Sequence, residues 1–227
     1  MSSPVRKLSD EFALLPELAA VVGIPPHTTP TVTRRFINTP AGVRISGVSW
    51  STQAAEVVLV HRDGTDARSL DRIALSLGLP ALAIDLPGHG ESGGVPVSAG
   101  ESGRLLADAV ATLAPQASAI VGLGSGALSS LVSYEVRRPR IDTIVLVDCI
   151  PGADATLWGQ LTRTASSYVI RTRESPVSRA DIDRLRQHAP NTRLLQLPIK
   201  AADVETTGAV ALANALRAVL GVTGGRW

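Results

Sequence analysis

Three polar side chains that could cleave an acyl bond each lie at the end of an apolar, strand-like run of the sequence or soon after it. They are His61, Ser125 and Asp148. A hydroxyl, an imidazole and a carboxylate can act as nucleophile, base and orienting acid when they lie within hydrogen-bond reach of one another. Ser125, His61 and Asp148 are therefore the candidate catalytic residues.

The same strand ends carry the residues that we expect to contact a ligand. The carboxyl ends of parallel strands meet along one edge of a sheet, and ligands of open α/β sheets bind there. The predicted ligand-binding residues are His61, Arg62, Asp63, Gly124 and Ser125. We expect neither a cofactor nor a metal at this edge.

Hydrophobic periodicity predicts the elements that would position these residues. Apolar runs of strand length alternate with segments whose apolar positions recur every three or four residues. The predicted strands cover 56–61, 81–85, 119–121, 143–147, 167–171 and 193–197, and the predicted helices cover 67–77, 103–113, 128–135, 179–188 and 207–220. An antiparallel hairpin is predicted before them, because β-rich runs at 33–37 and 43–50 flank a Pro/Gly turn.

This order predicts the fold class. Strands that are apolar throughout are typical of a sheet covered on both faces. Repeated strand–helix units after a hairpin predict an α/β, doubly wound, mostly parallel sheet with helices on both faces and an N-terminal antiparallel hairpin. The predicted organisation is an N-terminal arm at 1–30, one domain at 31–221 and a C-terminal tail at 222–227.

Composition excludes several classes of function. The chain has 227 residues, of which 22 are basic and 20 acidic, and a net charge of +2 does not favour nucleic acid. The start of the sequence lacks the apolar run of a signal peptide, and no stretch is apolar enough to cross a membrane. Cys149 is the only cysteine, so no internal disulfide is expected. We expect a soluble, cytoplasmic protein with no membrane partner.

Three segments resemble the α/β-hydrolase superfamily, and the resemblance as a whole covers the chain from about residue 31 to residue 220. Residues 57–64 (VVLVHRDG) are similar to the family's third strand and oxyanion loop, and residues 85–94 (DLPGHGESGG) match the turn after its fourth strand. Residues 120–127 (IVGLGSGA) occupy the nucleophile elbow. The resemblance implies an α/β-hydrolase-like fold, and the short segment 151–165 between the sixth and seventh strands implies that it has no cap domain.

The resemblance also implies where a catalytic triad would lie. The elbow pattern is Gly-x-Ser-x-Gly, so Gly122 and Gly126 are its flanks and Gly124 stands at the nucleophile's position. The acid's position falls on Ser175 and the histidine's position in the region of Ala202. Because all three groups are missing, we predict a non-hydrolytic, cofactor-independent pseudo-enzyme that binds a small ligand or a protein partner at this degenerate site.

Two other interpretations stay open. An atypical hydrolase, lyase or isomerase would use Ser125, His61 and Asp148, and it should place at least two of these side chains in contact inside a concave pocket. A dinucleotide-binding protein would use the glycines of 122–127 (GLGSGA), with Asp148 on the ribose hydroxyls. The sequence leaves the oligomeric state open and is compatible with a homo-oligomer or a hetero-oligomer.

Overall fold

The computed structural model describes residues 11–136, 140–152 and 154–222. These residues form eight strands, and the helices lie between and around them. The strands are β1 (Val32–Asn38), β2 (Arg44–Trp50), β3 (Val57–Val60), β4 (Ala81–Ile84), β5 (Ala119–Leu123), β6 (Thr143–Val147), β7 (Ser166–Arg171) and β8 (Arg193–Gln196). The α-helices are α1 (Leu15–Val21), α2 (Asp71–Leu77), α3 (Ala99–Leu113), α4 (Ser125–Val136), α5 (Ala155–Arg163), α6 (Arg179–His188) and α7 (Ala209–Val219). Short 3₁₀ turns cover Pro26–Thr28, Ala67–Leu70 and Ala201–Asp203.

The strands form one sheet in the order β1-β2-β4-β3-β5-β6-β7-β8. β1 pairs with β2 and β2 with β4 in antiparallel register, whereas every later pair from β4 to β8 is parallel. The predicted fold class is therefore confirmed, including the antiparallel hairpin at the start. The parallel part brings the carboxyl ends of β3, β5, β6 and β7 to one edge.

The core lies on both faces of this sheet because alternate residues of each strand point to opposite sides. In β3, Val58 and Val60 face a cluster that includes leucines of α3, α4, α5 and α6. Val57 and Leu59 face a second cluster with residues of α1, α2 and α7. All four positions of β3 are buried, as a strand covered on both faces requires.

Several elements differ from the sequence prediction, among them α4, which begins at Ser125 and not at 128. α5 was not predicted, although Asp154 provides the signal for it: its side chain accepts hydrogen bonds from the backbone N–H groups of Thr156 and Leu157 at 2.9 and 3.4 Å. α3 begins at Ala99 and not at 103, after the N-cap residue Ser98. β8 is a largely exposed edge strand, not a fully buried one.

The N-terminal segment packs on the domain as far as it is described, with Leu15 and Ala19 of α1 buried in the second cluster. Residues 1–10 and 223–227 lie outside the described residues, and the division into arm, domain and tail stays a prediction. Between β6 and β7 the described residues form α5 alone, in keeping with the absence of a cap domain. Within the described ranges, no helix combines the length and the apolar character needed to cross a membrane.

Two helical glycines should respond in opposite ways to alanine. A Cβ on Gly159 in α5 would meet nothing within 4 Å, whereas one on Gly103 in α3 would lie 2.4 Å from the Val132 Cβ. Gly159→Ala should raise the free energy of unfolding by about 0.5–1 kcal/mol, and Gly103→Ala should lower it by about 1–3 kcal/mol. Urea denaturation of both variants measures this. Equal effects of the two substitutions would contradict the packing between α3 and α4.

Candidate active site

Gly124 is the single residue between the end of β5 and the start of α4. Its φ is +52°, in the left-handed region that favours glycine, and its N–H donates to the Val147 carbonyl at 2.9 Å. A sharp turn of this kind holds the nucleophile in α/β-hydrolases. The structure therefore puts Gly124, which has no side chain, at the apex of the elbow.

The flanking glycines of the elbow are required by packing. A Cβ on Gly122 would lie 2.4 Å from the Ala127 Cα, and one on Gly126 would lie 2.1 Å from the His61 carbonyl oxygen. Close contact of the helix with the strand and with the loop after β3 therefore accounts for the glycine pattern without a bound pyrophosphate. The dinucleotide interpretation gains no support from the elbow.

His61 does not take the role that the sequence suggested. Its ring is fully buried, Nδ1 lies 2.7 Å from the Arg62 carbonyl oxygen, and Nε2 lies 2.9 Å from the Leu86 nitrogen. A backbone N–H can only donate, so Nε2 accepts and Nδ1 carries the proton. Burial lowers the pKa of His61. Because both nitrogens are already bonded to the backbone, His61 is neither a base for Ser125 nor a ligand contact, which corrects the expectation.

The buried neutral His61 should make stability depend on pH. A histidine whose pKa is lowered by folding binds a proton more readily in the unfolded chain, so acid favours unfolding. The neutral His61 imidazole contributes its full stabilisation above the ordinary histidine pKa of about 6.5. This stabilisation is lost as the pH falls towards the lowered pKa of His61. Between about pH 7.5 and about pH 5.5, the free energy of unfolding of the wild type should fall more than that of His61→Gln, which can keep both backbone hydrogen bonds.

Urea titrations at the two pH values measure this difference. His27→Gln, at an exposed histidine, is the control and should keep the wild-type pH dependence. Parallel pH profiles for the wild type and His61→Gln would show that the burial of a neutral imidazole is not the cause.

A cleft of about 200 Å³ opens at the carboxyl ends of the parallel strands, beside Gly124. It is mainly apolar and carries two charged side chains. Its lining residues are Arg62, Leu123, Gly124, Val147, Asp148, Pro176, Ala201 and Val204. The chain has four histidines, all within the described residues, and none lines this cleft. A general base in the cleft must therefore come from another residue type.

Asp148 is the carboxylate of this cleft and is held firmly in place. Its Oδ1 accepts from the Thr172 N–H and its Oδ2 from the Thr172 hydroxyl, both at 2.8 Å, and Thr172 is fully buried. The φ of Asp148 is +53°, an uncommon conformation for a residue other than glycine and one that clusters at functional sites. Leu123 pairs with Val147 in the sheet, and the next residue after each strand, Gly124 and Asp148, lines the same cleft.

Ser125 is tied to the loop after β3 and not to the other two candidates. Its Oγ accepts a hydrogen bond from the Asp63 N–H at 2.9 Å. Its own N–H begins α4 and therefore has no partner within the helix. The side chain of Asp63 is exposed. The structure thus brings Gly124, Ser125 and Asp148 to one edge but does not join Ser125, His61 and Asp148 into a triad.

Arg62 lies beside the elbow and forms an ion pair with Glu205. Its Nη2 and Nε lie 2.5 and 3.0 Å from a carboxylate oxygen of Glu205. A Cβ on Gly124 would lie 3.0 Å from the Arg62 Cβ. Glu205 follows the 3₁₀ turn that contains Ala202, the region of the missing histidine, and Ser175 lies in the turn before α6. An arginine–glutamate pair therefore spans the region between the elbow and the loop after β8.

Sequence reasoning missed Glu205 and Thr172. Each holds a predicted residue in place from a distant part of the chain, 143 positions from Arg62 and 24 positions from Asp148. No local pattern marks either residue. The sequence analysis identified only their partners, Arg62 and Asp148.

The sheet order and the elbow define the class of the protein: the chain has the α/β-hydrolase fold, as the resemblance implied. No family model matches the chain. Among solved structures it is similar to the esterase Rv0045c of M. tuberculosis, with a TM-score of 0.84 and 22% identity over 94% of this chain and 99% of that one. It is also similar to a thioesterase domain from the curacin biosynthetic pathway, with a TM-score of 0.71 and 15% identity over 84% of this chain and 99% of that one.

A curated relative gives information on activity. The chain is 36% identical over 147 residues to the esterase Rv0045c of Mycobacterium tuberculosis (strain ATCC 25618 / H37Rv), a match that covers 63% of this chain and 47% of the esterase. The chain thus spans about half the length of the curated relative that it matches. This similarity overturns the prediction of a non-hydrolytic pseudo-enzyme, which was wrong because it rested on the missing triad alone. The atypical hydrolase, given above as an alternative, is better supported.

Proposed function

We propose that this chain is an atypical ester hydrolase in which a water molecule replaces the serine nucleophile and Asp148 is the general base. The observation that carries the proposal is the Asp148 carboxylate, fixed by Thr172 within a cleft that also contains the side-chain-free elbow residue Gly124. The similarity to an esterase supports ester cleavage as the reaction class.

The proposed reaction needs one carboxylate and one water. A water at the elbow attacks the ester carbonyl carbon while Asp148 accepts one of its protons, which forms the tetrahedral intermediate. The intermediate then collapses, the bond to the alcohol oxygen breaks, and the proton on Asp148 passes to the departing alkoxide. Ester and water become acid and alcohol, and Asp148 returns to its starting form.

Gly124 has a specific part in this scheme. In the serine enzymes of this fold the elbow residue presents a hydroxyl to the substrate. A glycine at the apex leaves the volume of that side chain to a water, although the Arg62 Cβ limits the space on one side. The carboxylate that would activate this water directly follows β6, the strand paired with β5, and lines the same cleft as Gly124.

Thr172 is a positioning residue in this proposal. It donates its N–H and its hydroxyl to the two oxygens of Asp148, and it is fully buried at the end of β7. Two charge-assisted hydrogen bonds from one residue fix the plane of the carboxylate. Each carboxylate oxygen keeps a further lone pair with which to accept a proton from water.

The test is the turnover of nitrophenyl esters of increasing acyl length by the full chain. We expect hydrolysis above the buffer rate without an initial burst of nitrophenol, because no acyl-enzyme forms when water attacks directly. A burst equal to the enzyme concentration would contradict the water mechanism. An absence of turnover with every ester would contradict the proposed function itself. The ester is the small-molecule ligand in this proposal. The cytoplasmic location inferred from the sequence stays a prediction.

A further inference from the structure

The cleft beside Gly124 is small, and its walls are mainly apolar. Its volume of about 200 Å³ lies below the range of about 300–1,000 Å³ that is usual for ligand pockets. The apolar side chains that line it are Leu123, Val147, Pro176, Ala201 and Val204. A cleft of this size and character fits an acyl group of a few carbon atoms better than a long chain or a ring system.

Arg62 and Asp148, the charged residues of this lining within the described part of the chain, differ in how their charges are compensated. The Arg62 guanidinium donates from Nη2 and Nε to one carboxylate oxygen of Glu205, at 2.5 and 3.0 Å. The Asp148 carboxylate accepts from Thr172, which carries no charge. Within the described residues Asp148 forms no ion pair. The cleft therefore presents one compensated positive charge and one uncompensated negative charge.

Glu205 acts on the cleft through Arg62. Glu205 does not itself line the cleft, and its side chain is 10% exposed while that of Arg62 is 31% exposed. Opposite charges at hydrogen-bond distance cancel much of each other's field further away. A carboxylate on a bound ligand would therefore meet a guanidinium already bonded to Glu205, together with the negative charge of Asp148. Like charges placed close together disfavour binding.

We propose that Glu205 is a specificity-determining residue that neutralises Arg62, so that the cleft accepts esters with a short uncharged acyl group and disfavours acyl groups that carry a carboxylate. This inference rests on the proposed function and names its substrate class. Without the charge of Glu205, Arg62 would offer the cleft a planar guanidinium, which binds carboxylates well. Removal of that one negative charge should therefore shift the preference towards anionic acyl groups.

The experiment measures the Kd of butanamide and of succinamate by NMR titration of the full chain at neutral pH. These stable amides have the same chain length and mimic a neutral and an anionic acyl group. The wild type should bind butanamide more tightly. In Glu205→Gln, which keeps an oxygen for Arg62 but no charge, the ratio of the two Kd values should shift towards succinamate by about tenfold, the lower end for a hydrogen bond to a charged group. Asp183→Asn, which removes the exposed partner of Arg186, is the matched control and should leave the ratio unchanged.

A double variant separates the charge of Glu205 from its shape. Arg62→Met combined with Glu205→Gln removes both charges of the ion pair and leaves Asp148 as the charge of the described lining. The double variant should therefore return to the wild-type preference for butanamide. An unchanged ratio in Glu205→Gln would overturn the inference, and so would a double variant that keeps the shifted ratio. A wild type that binds no butanamide, or binds succinamate at least as tightly, overturns it as well.

Amide binding and ester turnover together separate this inference from the proposed function. Binding of the two amides requires no chemical step, so it reports on the cleft whether or not the chain hydrolyses esters. A wild type that hydrolyses nitrophenyl esters but prefers succinamate keeps the proposed function and overturns the role of Glu205. A wild type with the expected amide preference and no turnover of any ester refutes the proposed function, while the charge preference of the cleft is confirmed.

Discussion

Asp148→Asn should lower kcat for ester hydrolysis by a factor of about 10² to 10⁴, the usual contribution of a general base. The amide cannot accept the proton that the attacking water must lose. Asparagine has nearly the same shape, tolerates a positive φ and can still accept a hydrogen bond from Thr172. The loss should therefore appear in kcat while the fold is kept, and initial rates with nitrophenyl acetate measure it.

Two further variants show whether the effect belongs to the base. Asp142 is an exposed aspartate just before the other end of β6, and Asp142→Asn should leave kcat unchanged. Thr172→Val removes one of the two hydrogen bonds that orient Asp148, so its kcat should fall between the values of the wild type and Asp148→Asn. If Asp148→Asn keeps a kcat within tenfold of the wild type, the carboxylate is not the base and the proposed mechanism fails.

The fold could be predicted from the sequence because its determinants are local. Apolar runs such as 57–60 and 143–147 are buried on both faces, so hydrophobicity alone marks them as inner strands. The elbow was equally accessible, since the close approach of Ala127 and the His61 carbonyl leaves room only for glycine at 122 and 126. The prediction that β8 is buried was wrong because β8 is an edge strand, and an edge strand need not be covered on both faces.

The site was less predictable because its contacts join distant segments. His61 follows a strand at the ligand edge, but the Leu86 N–H binds its ring inside the protein, and no residue near His61 in the sequence indicates this. The pairs Arg62–Glu205 and Asp148–Thr172 likewise depend on the finished sheet. The sequence therefore predicts that His61 lies at the end of a strand. The direction of its side chain depends on the tertiary structure.

The missing triad misled the functional prediction for a chemical reason. A nucleophilic serine requires a base and an orienting acid, so the three residues of the triad function only as a unit. Direct attack by water requires one positioned carboxylate and donors for the oxyanion. Asp148 supplies the positioned carboxylate in the proposed mechanism without occupying a position of the triad.

Arg34→Met should cause the largest loss of stability among these variants. The Arg34 side chain is only 3% exposed and its Nη1 lies 2.6 Å from the Asp85 carboxylate, which is fully buried. The guanidinium also donates to Glu11 and, at 2.5 Å, to the Ser46 hydroxyl. Methionine keeps much of the apolar length but removes the charge, and breaking a buried ion pair costs about 3–5 kcal/mol. Urea denaturation measures the loss.

The reason for so large a loss is the carboxylate that Arg34→Met leaves behind. Asp85 keeps its hydrogen bonds from the backbone N–H groups of Ala67 and Glu91 at 2.7 and 3.2 Å, but its buried negative charge loses its direct cation. Arg186→Met is the matched control, because Arg186 and its partner Asp183 are 73% and 64% exposed and such surface pairs contribute little. Equal stability of the two variants would mean that the backbone N–H groups alone stabilise Asp85, and the ion pair would then have no measurable part in joining β1 to the turn after β4.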